Sequence, residues 1–156
     1  TLTGLENLDY FTKLAGKGAG DASRLEVLLD RVELARAAAH LPVERYSKGM
    51  RQKVGLAIAL AKDARALLLD EPLSGLDPQA ANEFCALLRK LADTGVAVLM
   101  ATHDLFRAKE LANRVGIMKG GRLLDNLAAA DVSSAQLERI YLDHMRDSAI
   151  APGAHA

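Results

Sequence analysis

The chain has little of several residue types. Its 156 residues include one cysteine and no tryptophan, only 4% are aromatic, and 20 Lys and Arg residues balance 20 Asp and Glu residues. One cysteine excludes an internal disulfide and a cysteine-rich metal site. The formal net charge of zero argues against a large nucleic-acid interface, which would be basic. The shortage of aromatic rings argues against a surface for stacking bases, so no nucleic-acid partner is expected.

Long apolar runs are also missing. The longest ones, Gly55 to Ala61 and Val96 to Ala101, fall far short of the about 20 residues that a membrane helix needs. No signal peptide is recognisable. Direct membrane insertion is therefore not expected, and any membrane association would depend on a partner. Cys85 lies on the apolar side of a predicted helix, which predicts a buried and inert thiol.

The most informative segment runs from Leu67 to Pro78. An apolar run ends there in two adjacent carboxylates, Asp70 and Glu71, and the following turn carries a third, Asp77. Adjacent carboxylates repel each other, so their position after a buried strand points to a cation or a reaction that uses them. One carboxylate for a metal and the next for activating water suits triphosphate chemistry. The alternative is an acidic pair that only caps the turn.

Hydrophobic periodicity predicts an α/β fold. A helical part, residues 1–62, precedes a part that alternates strand and helix, residues 63–125, and residues 126–156 form a last helix and a flexible tail. The strand at 66–69 is apolar throughout, which predicts burial on both faces in a parallel sheet. A flexible break is predicted at residues 16–20. Helices are predicted at residues 5–14, 22–32, 48–61, 78–91, 105–112 and 134–145, and strands at 66–69, 96–101, 115–118 and 122–124.

Four motifs together resemble the ATP-binding subunits of ABC transporters. They are Tyr46 to Lys53, Leu67 to Glu71, Ser74 to Asp77 and Thr102 to Asp104, in the family's order and at its usual separations. The resemblance implies a P-loop NTPase fold, here a partial parallel sheet with an inserted α-helical subdomain. It also implies ATP and Mg²⁺ as ligands. It assigns catalysis to Glu71 and His103, metal binding to Asp70, and ATP binding to Ser47, Lys48, Gly49, Met50, Asp70 and Asp77.

The carboxylates take distinct roles by this resemblance. Asp70 ends the Walker B strand and would hold Mg²⁺ through a water, while Glu71 would orient or deprotonate the attacking water. His103 would be the switch histidine, which contacts the γ-phosphate and Glu71. Asp77 would be the D-loop aspartate, which crosses the dimer interface. The plainer alternatives are a satisfied polar residue after a strand for His103 and a turn or cap residue for Asp77.

Ser47 to Met50 resembles the ABC signature, which the family writes Leu-Ser-Gly-Gly-Gln. A serine that caps a helix leaves N–H groups facing outward at the positive end of the dipole, which suits an anion. In the family this motif binds the γ-phosphate of ATP on the opposite subunit, so Ser47 would supply its hydroxyl and Gly49 its N–H. Lys48 replaces a glycine and adds a cation, and Met50 replaces a glutamine. The alternative is an ordinary N-cap. The next residues, 51–53, are predicted to form a solvated helix face.

A phosphate-binding loop of the form Gly-x-x-x-x-Gly-Lys-Ser/Thr is missing from these residues. Gly16 to Gly18 resembles its end, but Phe11 stands where the first glycine would be. The resemblance therefore implies a fragment that lacks the N-terminal Walker A and Q-loop region. We expect these residues alone to expose apolar strand faces, to dissolve poorly, to bind ATP weakly and to hydrolyse it negligibly.

The implied function is that of an ATP-hydrolysing ABC transporter subunit. It would act in a head-to-tail homo- or heterodimer with transmembrane permease subunits, on the cytoplasmic face of the membrane as a peripheral, cytoplasmic protein. The Ser-Lys-Gly-Met-Arg-Gln motif, with Leu-Thr-Gly-x-Glu-Asn-Leu upstream, resembles export-type subunits. One alternative is a non-hydrolytic module that lends Ser47 and Gly49 to a complete partner. The other is an ABC ATPase outside transport.

Overall fold

The computed structural model describes residues 2–16 and 21–146. The predicted tail at 149–156, and residues 17–20 of the predicted break, lie outside the described residues. The elements, in chain order, are α1 (Gly4–Leu14), α2 (Ala22–Arg31), α3 (Arg36–Ala39), α4 (Lys48–Ala61), β1 (Ala66–Asp70), α5 (Pro78–Asp93), β2 (Ala97–Ala101), α6 (Leu105–Leu111), β3 (Arg114–Lys119), β4 (Arg122–Ala128) and α7 (Ser134–Arg146).

The chain divides into two compact units, with the boundary between Ala101 and Thr102. The first unit contains α1 to α5 with β1 and β2, and the second contains α6, β3, β4 and α7. The predicted division at residues 62 and 125 concerns the family's domain organisation and stays a prediction.

The core of the first unit is built from the apolar faces of its helices. Its largest fully buried side chains include Leu8 of α1, Leu29 of α2 and Phe84 of α5. Ala57 of α4 is completely buried, and its small side chain lets neighbouring helices approach α4 closely. Cys85 is buried on α5, as predicted. These helices form the base on which the following sheet and turn are placed.

The strands β1 and β2 form a two-stranded parallel sheet, with Leu67 opposite Val98 and Leu68 opposite Leu99. Leu67 is buried, but Leu68 is 79% exposed and Leu99 is 68% exposed. The prediction that the β1 strand is buried on both faces is therefore wrong, whereas the expectation that these residues alone expose an apolar strand face is confirmed. Successive side chains of a strand point to opposite faces, and the described residues of this unit cover only the Leu67 face.

The second unit is a hairpin with a helix packed on it. The strands β3 and β4 pair antiparallel, and Gly120 and Gly121 both have positive φ, at 56° and 75°. Two consecutive residues with positive φ form the type of two-residue turn that matches the twist of a hairpin. The predicted hairpin is therefore confirmed. Ile117 of β3 and Leu137 of α7 are buried in its small core. Over residues 2–16 and 21–146, no helix is both long and apolar enough to cross a membrane.

Candidate functional site

The start of α4 has the form of an anion-binding helix terminus. Ser47 has extended backbone angles, and its Oγ accepts a hydrogen bond of 3.2 Å from the N–H of Met50. The first turn, Lys48 to Arg51, carries no acidic residue that would offset the positive end of the helix dipole. Ser47 is exposed, so its hydroxyl and the neighbouring N–H groups can be reached from solvent.

Met50 turns away from this surface. Its side chain is partly buried and packs against the core of the first unit. A flexible apolar side chain fits such a position well. The change from the family's glutamine therefore adds packing inside the unit at this position.

The turn after β1 holds the carboxylates in a defined backbone conformation. Glu71 donates its N–H to the carbonyl of Ala101 at 2.9 Å and so extends the pairing of β1 with β2. Its φ is 44°, in the left-handed region that side chains other than glycine seldom adopt. Such a conformation costs on the order of 1–3 kcal/mol and occurs preferentially at functional sites. Glu33 and Asp63 share this conformation at 56°, so the backbone of Glu71 agrees with a functional role that the sequence motif assigns.

Asp77 ends this turn and begins α5. Its carboxylate accepts a hydrogen bond of 2.9 Å from the N–H of Ala80, and Pro78 follows as the first helical residue. The predicted capping role of Asp77 is confirmed by this bond. Its predicted role across a dimer interface stays a prediction.

The starts of α4 and α5 lie against each other. A methyl group placed on Gly49 would lie 3.7 Å from the side chains of both Leu76 and Ala80. The exposed Ser47 therefore lies close to the turn that carries Glu71 and Asp77. The structure brings together in the first unit seven of the predicted site residues: Ser47, Lys48, Gly49, Met50, Asp70, Glu71 and Asp77.

Asp70 ends β1, and its side chain is exposed at the rim of a groove of about 470 Å³ that also includes Gln52 and Pro72. Within the part of the chain that the structure describes, no group of three or more His, Cys, Asp or Glu side chains could hold a metal. A single carboxylate still fits Mg²⁺, which binds hard oxygen ligands and keeps several of its waters. The donor set at this position therefore suits Mg²⁺ with solvent or phosphate as the remaining ligands.

His103 belongs to the second unit, between β2 and α6. Its neighbours are ordered by local hydrogen bonds. Asp104 caps α6 by accepting from the N–H of Arg107 at 2.9 Å, and the hydroxyl of Thr102 accepts from the N–H of Asp104 at 3.1 Å. The predicted contact of His103 with Glu71 would join the two units and stays a prediction.

The prediction of a solvated face at residues 51–53 is wrong for Gln52 and Lys53, which are partly buried, whereas Arg51 is exposed. Arg51 donates to the carbonyl of Tyr46 at 2.5 Å, Gln52 donates to the carbonyl of Pro72, and Lys53 donates to the carbonyl of Glu33 at 3.2 Å. Successive residues of an α-helix point in directions about 100° apart, because about 3.6 residues complete a turn. Three neighbouring polar residues therefore reach three different parts of the fold.

Sequence reasoning missed Gln52 and Tyr46 as residues that shape this site. Gln52 lies four residues after Lys48 and hence on the same helix face, and this spacing is the signal that could have found it. Tyr46 is 4% exposed, and its hydroxyl donates to the carbonyl of Ala38. Burial raises the pKa of Tyr46 above its ordinary value. The neutral phenol thus fixes the residue that precedes Ser47.

Comparison with known proteins agrees with this geometry. The family model described as "AAA domain, putative AbiEii toxin, Type IV TA system" matches residues 4–106. The uncharacterized ABC transporter ATP-binding protein YdbJ of Bacillus subtilis is 42% identical over 123 residues, which cover 78% of this chain and 39% of that protein. The phosphonates import ATP-binding protein PhnC of Hyphomonas neptunium is 41% identical over 123 residues, 78% of this chain and 47% of that protein. The chain thus spans less than half the length of these relatives.

A solved structure supports the same assignment. The ATP-binding cassette MJ0796, in a dimeric post-hydrolysis state bound to ADP and Pi, superposes with a TM-score of 0.70 at 28% identity, over 82% of this chain and 57% of that chain. The fold of the described residues is that of an ABC ATPase cassette, a P-loop NTPase fold. The chain therefore belongs to the family of ABC transporter ATP-binding subunits.

Proposed function

We propose that these residues form part of an ATP-hydrolysing subunit that drives transport through an ABC transporter. One observation carries the proposal: the start of α4, whose form suits an anion, packs beside the turn in which Glu71 has a φ of 44°. A helix start that suits phosphate and a candidate base thus belong to the same unit.

Each residue has a role in this proposal. Glu71 accepts a proton from the water that attacks the γ-phosphate, and Asp70 holds Mg²⁺, which when bound neutralises charge on the phosphate oxygens. Ser47 and Gly49 donate hydrogen bonds to the γ-phosphate of an ATP molecule held mainly by a partner subunit. His103 contacts the γ-phosphate of the ATP on which Asp70 and Glu71 of its own subunit act.

The proposed assembly is a head-to-tail homo- or heterodimer of ATP-binding subunits on transmembrane permeases at the cytoplasmic face of the membrane. The dimeric state of MJ0796 with ADP and Pi supports the dimer. The exposure of Ser47 supports the same proposal, because an exposed hydroxyl can reach an ATP molecule on a partner subunit. ATP bound between two subunits would then stabilise the dimer, and hydrolysis would release it.

The proposed direction of transport is export, on the basis of the motif Ser47 to Gln52. The phosphonates import protein among the relatives argues for the opposite direction. A transport assay with the permease decides between them. The presence of both Glu71 and His103 argues against the non-hydrolytic module, because a chain that only lends Ser47 and Gly49 has no use for them.

The proposal is tested by measuring Mg²⁺-dependent ATP hydrolysis by the natural product of the gene. Glu71→Gln should lower turnover by roughly 10²–10⁴ and leave nucleotide binding intact, the scale expected for a general base. Glu83→Gln, on the exposed side of α5, is the matched control and should keep its turnover. Unchanged turnover in Glu71→Gln would remove Glu71 from this role.

Mixing two inactive variants tests the head-to-tail arrangement. In a dimer of one Ser47→Ala subunit and one Glu71→Gln subunit, one site carries both defects and the other is intact. An equimolar mixture should therefore recover activity that neither variant shows alone. No recovery would mean that Ser47 and Glu71 act within one chain, and the proposed dimer would be wrong.

A further inference from the structure

Two side chains of α4 bind the turn that follows β1. The ammonium group of Lys48 donates to the carbonyl of Ser74, and the Nε2 atom of Gln52 donates to the carbonyl of Pro72. Lys48 and Gln52 are four residues apart and so lie on one face of the helix. The two bonds are therefore a matched pair between one helix face and one turn.

These bonds complete a regular pattern along the turn. Within it, the N–H of Ser74 donates to the carbonyl of Glu71 at 3.1 Å, and the N–H of Leu76 donates to the carbonyl of Leu73 at 3.2 Å. The carbonyls of Glu71 and Leu73 thus accept hydrogen bonds from N–H groups of the turn itself. The carbonyls between and after them, those of Pro72 and Ser74, accept hydrogen bonds from side chains of α4. Four successive carbonyls are fixed in this way, and the strained Glu71 is the first of them.

Lys48 lies against Gly75 in this turn. A methyl group on Gly75 would lie 3.5 Å from Nζ of Lys48 and 3.9 Å from its Cδ. The φ of Gly75 is 66°, a conformation that favours glycine. The stem of Lys48 therefore lies over the turn, and its ammonium group is directed to the main chain of the turn.

Gln52 holds its bond at a cost. Its Oε1 atom is buried and has no hydrogen-bond partner among the residues that the structure describes. A buried acceptor without a hydrogen-bond partner is unfavourable. Rotating the amide by half a turn would place Oε1 against the carbonyl of Pro72, which also accepts. The orphaned Oε1 is thus the consequence of keeping a donor on Pro72.

We propose that Lys48 and Gln52 are positioning residues that hold the turn of Glu71 in register with the anion-binding start of α4. The helix start that binds phosphate at Ser47 and Gly49 would then be linked directly to the turn that orients the Glu71 carboxylate. In this role Lys48 acts through Ser74, in contrast to a cation that contacts the phosphates directly. The catalytic part of this inference depends on the proposed ATPase function, whereas the tethering of the turn does not.

Hydrogen exchange of the protein without nucleotide tests the tether by itself. The measurement uses the protein as its gene encodes it. The N–H groups of Ser74 and Leu76 are the probes. Lys48→Met and Gln52→Met should each speed their exchange by about tenfold, because the turn opens more often. Lys48→Arg keeps a donor and should restore slow exchange.

Lys53→Met is the matched control for these variants. It makes the same substitution in the same helix, but Lys53 donates to the carbonyl of Glu33 and not to the turn. Exchange at Ser74 and Leu76 should stay unchanged in it. Unchanged exchange in both Lys48→Met and Gln52→Met overturns the tether, whether or not the protein hydrolyses ATP.

Steady-state kinetics then separate positioning from direct phosphate contact. A misaligned catalytic group lowers kcat, and displacements of about 1 Å can cost up to about 100-fold. Lys48→Met should therefore lower kcat at least about tenfold with KM for ATP within about twofold, and Lys48→Arg should retain most of kcat. A raised KM with unchanged kcat would assign Lys48 to the phosphates and overturn its positioning role.

Discussion

The hydroxyl of Tyr46 donates a hydrogen bond to the main-chain carbonyl of Ala38, and both residues are buried. Since Tyr46 directly precedes Ser47, this bond fixes the point at which the chain enters α4. The start of α4 is thus fixed by the hydrogen bond of Tyr46 and by the packing of Gly49 against Leu76 and Ala80.

Replacing Tyr46 with Phe should lower the free energy of unfolding at neutral pH by about 1–3 kcal/mol, because the carbonyl of Ala38 loses its donor. Burial raises the pKa of Tyr46 above its ordinary value of 10.0. The resulting stabilisation is complete below pH 10 and is lost as the pH rises through the raised pKa. Urea unfolding at pH 8 and above pH 10 should therefore show a smaller difference between wild type and Tyr46→Phe at the higher pH.

Tyr10→Phe is the control for this effect, since Tyr10 is 54% exposed. It should change stability little at either pH. Equal pH dependence of stability in wild type and Tyr46→Phe would contradict the assignment of the alkaline effect to Tyr46.

Gly4→Ala should destabilise the protein by about 1–3 kcal/mol, the usual cost of overpacking. A methyl group on Gly4 would lie only 2.1 Å from the hydroxyl oxygen of Tyr46, which its bond to Ala38 holds in place. In a Tyr46→Phe background the same change should cost less, because the clashing oxygen is gone. Urea unfolding of the four proteins measures this coupling.

Gly55→Ala provides the contrast. Gly55 lies inside α4, and a methyl group there would meet nothing within 4 Å. Alanine is the better helix former by about 1 kcal/mol, so this variant should be at least as stable as wild type. A loss of stability in Gly55→Ala equal to that in Gly4→Ala would show that contact with Tyr46 is not the cause.

Ser47→Ala should lower stability by about 1 kcal/mol and also weaken ATP-dependent dimerisation. The stability effect follows from the lost cap, since Oγ of Ser47 accepts from the N–H of Met50. Ser133→Ala is the matched variant, because Ser133 accepts from the N–H of Gln136 in the same way before α7. Unfolding and sedimentation with ATP should show similar stability losses for both variants and a dimerisation defect for Ser47→Ala alone. A dimerisation defect of equal size in both would mean that Ser47 is only a cap.

Leu68 and Leu99 should drive self-association of the isolated 156 residues. They face each other across the β1–β2 pair and are both highly exposed, and an exposed apolar sheet face favours association. Light scattering should show aggregates that decrease in a Leu68→Lys, Leu99→Glu double variant. Leu2→Lys, at a separate exposed leucine, is the control and should leave aggregation unchanged. Monomeric, cooperative thermal unfolding of the unmodified chain would contradict this prediction.

Much of the local structure could be predicted because its signals are local. The structure has α4 at Lys48–Ala61, the bounds that the sequence predicts, since the cap at Ser47 and the apolar spacing act within a few residues. The hairpin of β3 and β4 follows from two consecutive glycines between apolar strands. The family was recognisable for a related reason: Ser47, Asp70 and Glu71 belong to motifs that are short and contiguous.

The contacts that shape the site are long-range and could not be predicted in this way. Gln52 reaches Pro72, 20 residues away, and Lys48 reaches Ser74, 26 residues away. Whether a polar side chain points to solvent or to a distant carbonyl depends on which elements pack beside it. The sequence by itself determined the elements, the motifs and the family, because local hydrogen bonds and periodicity encode them. Only the tertiary structure decided which face of β1 is covered and how α4 holds the turn of Glu71, because packing sets both.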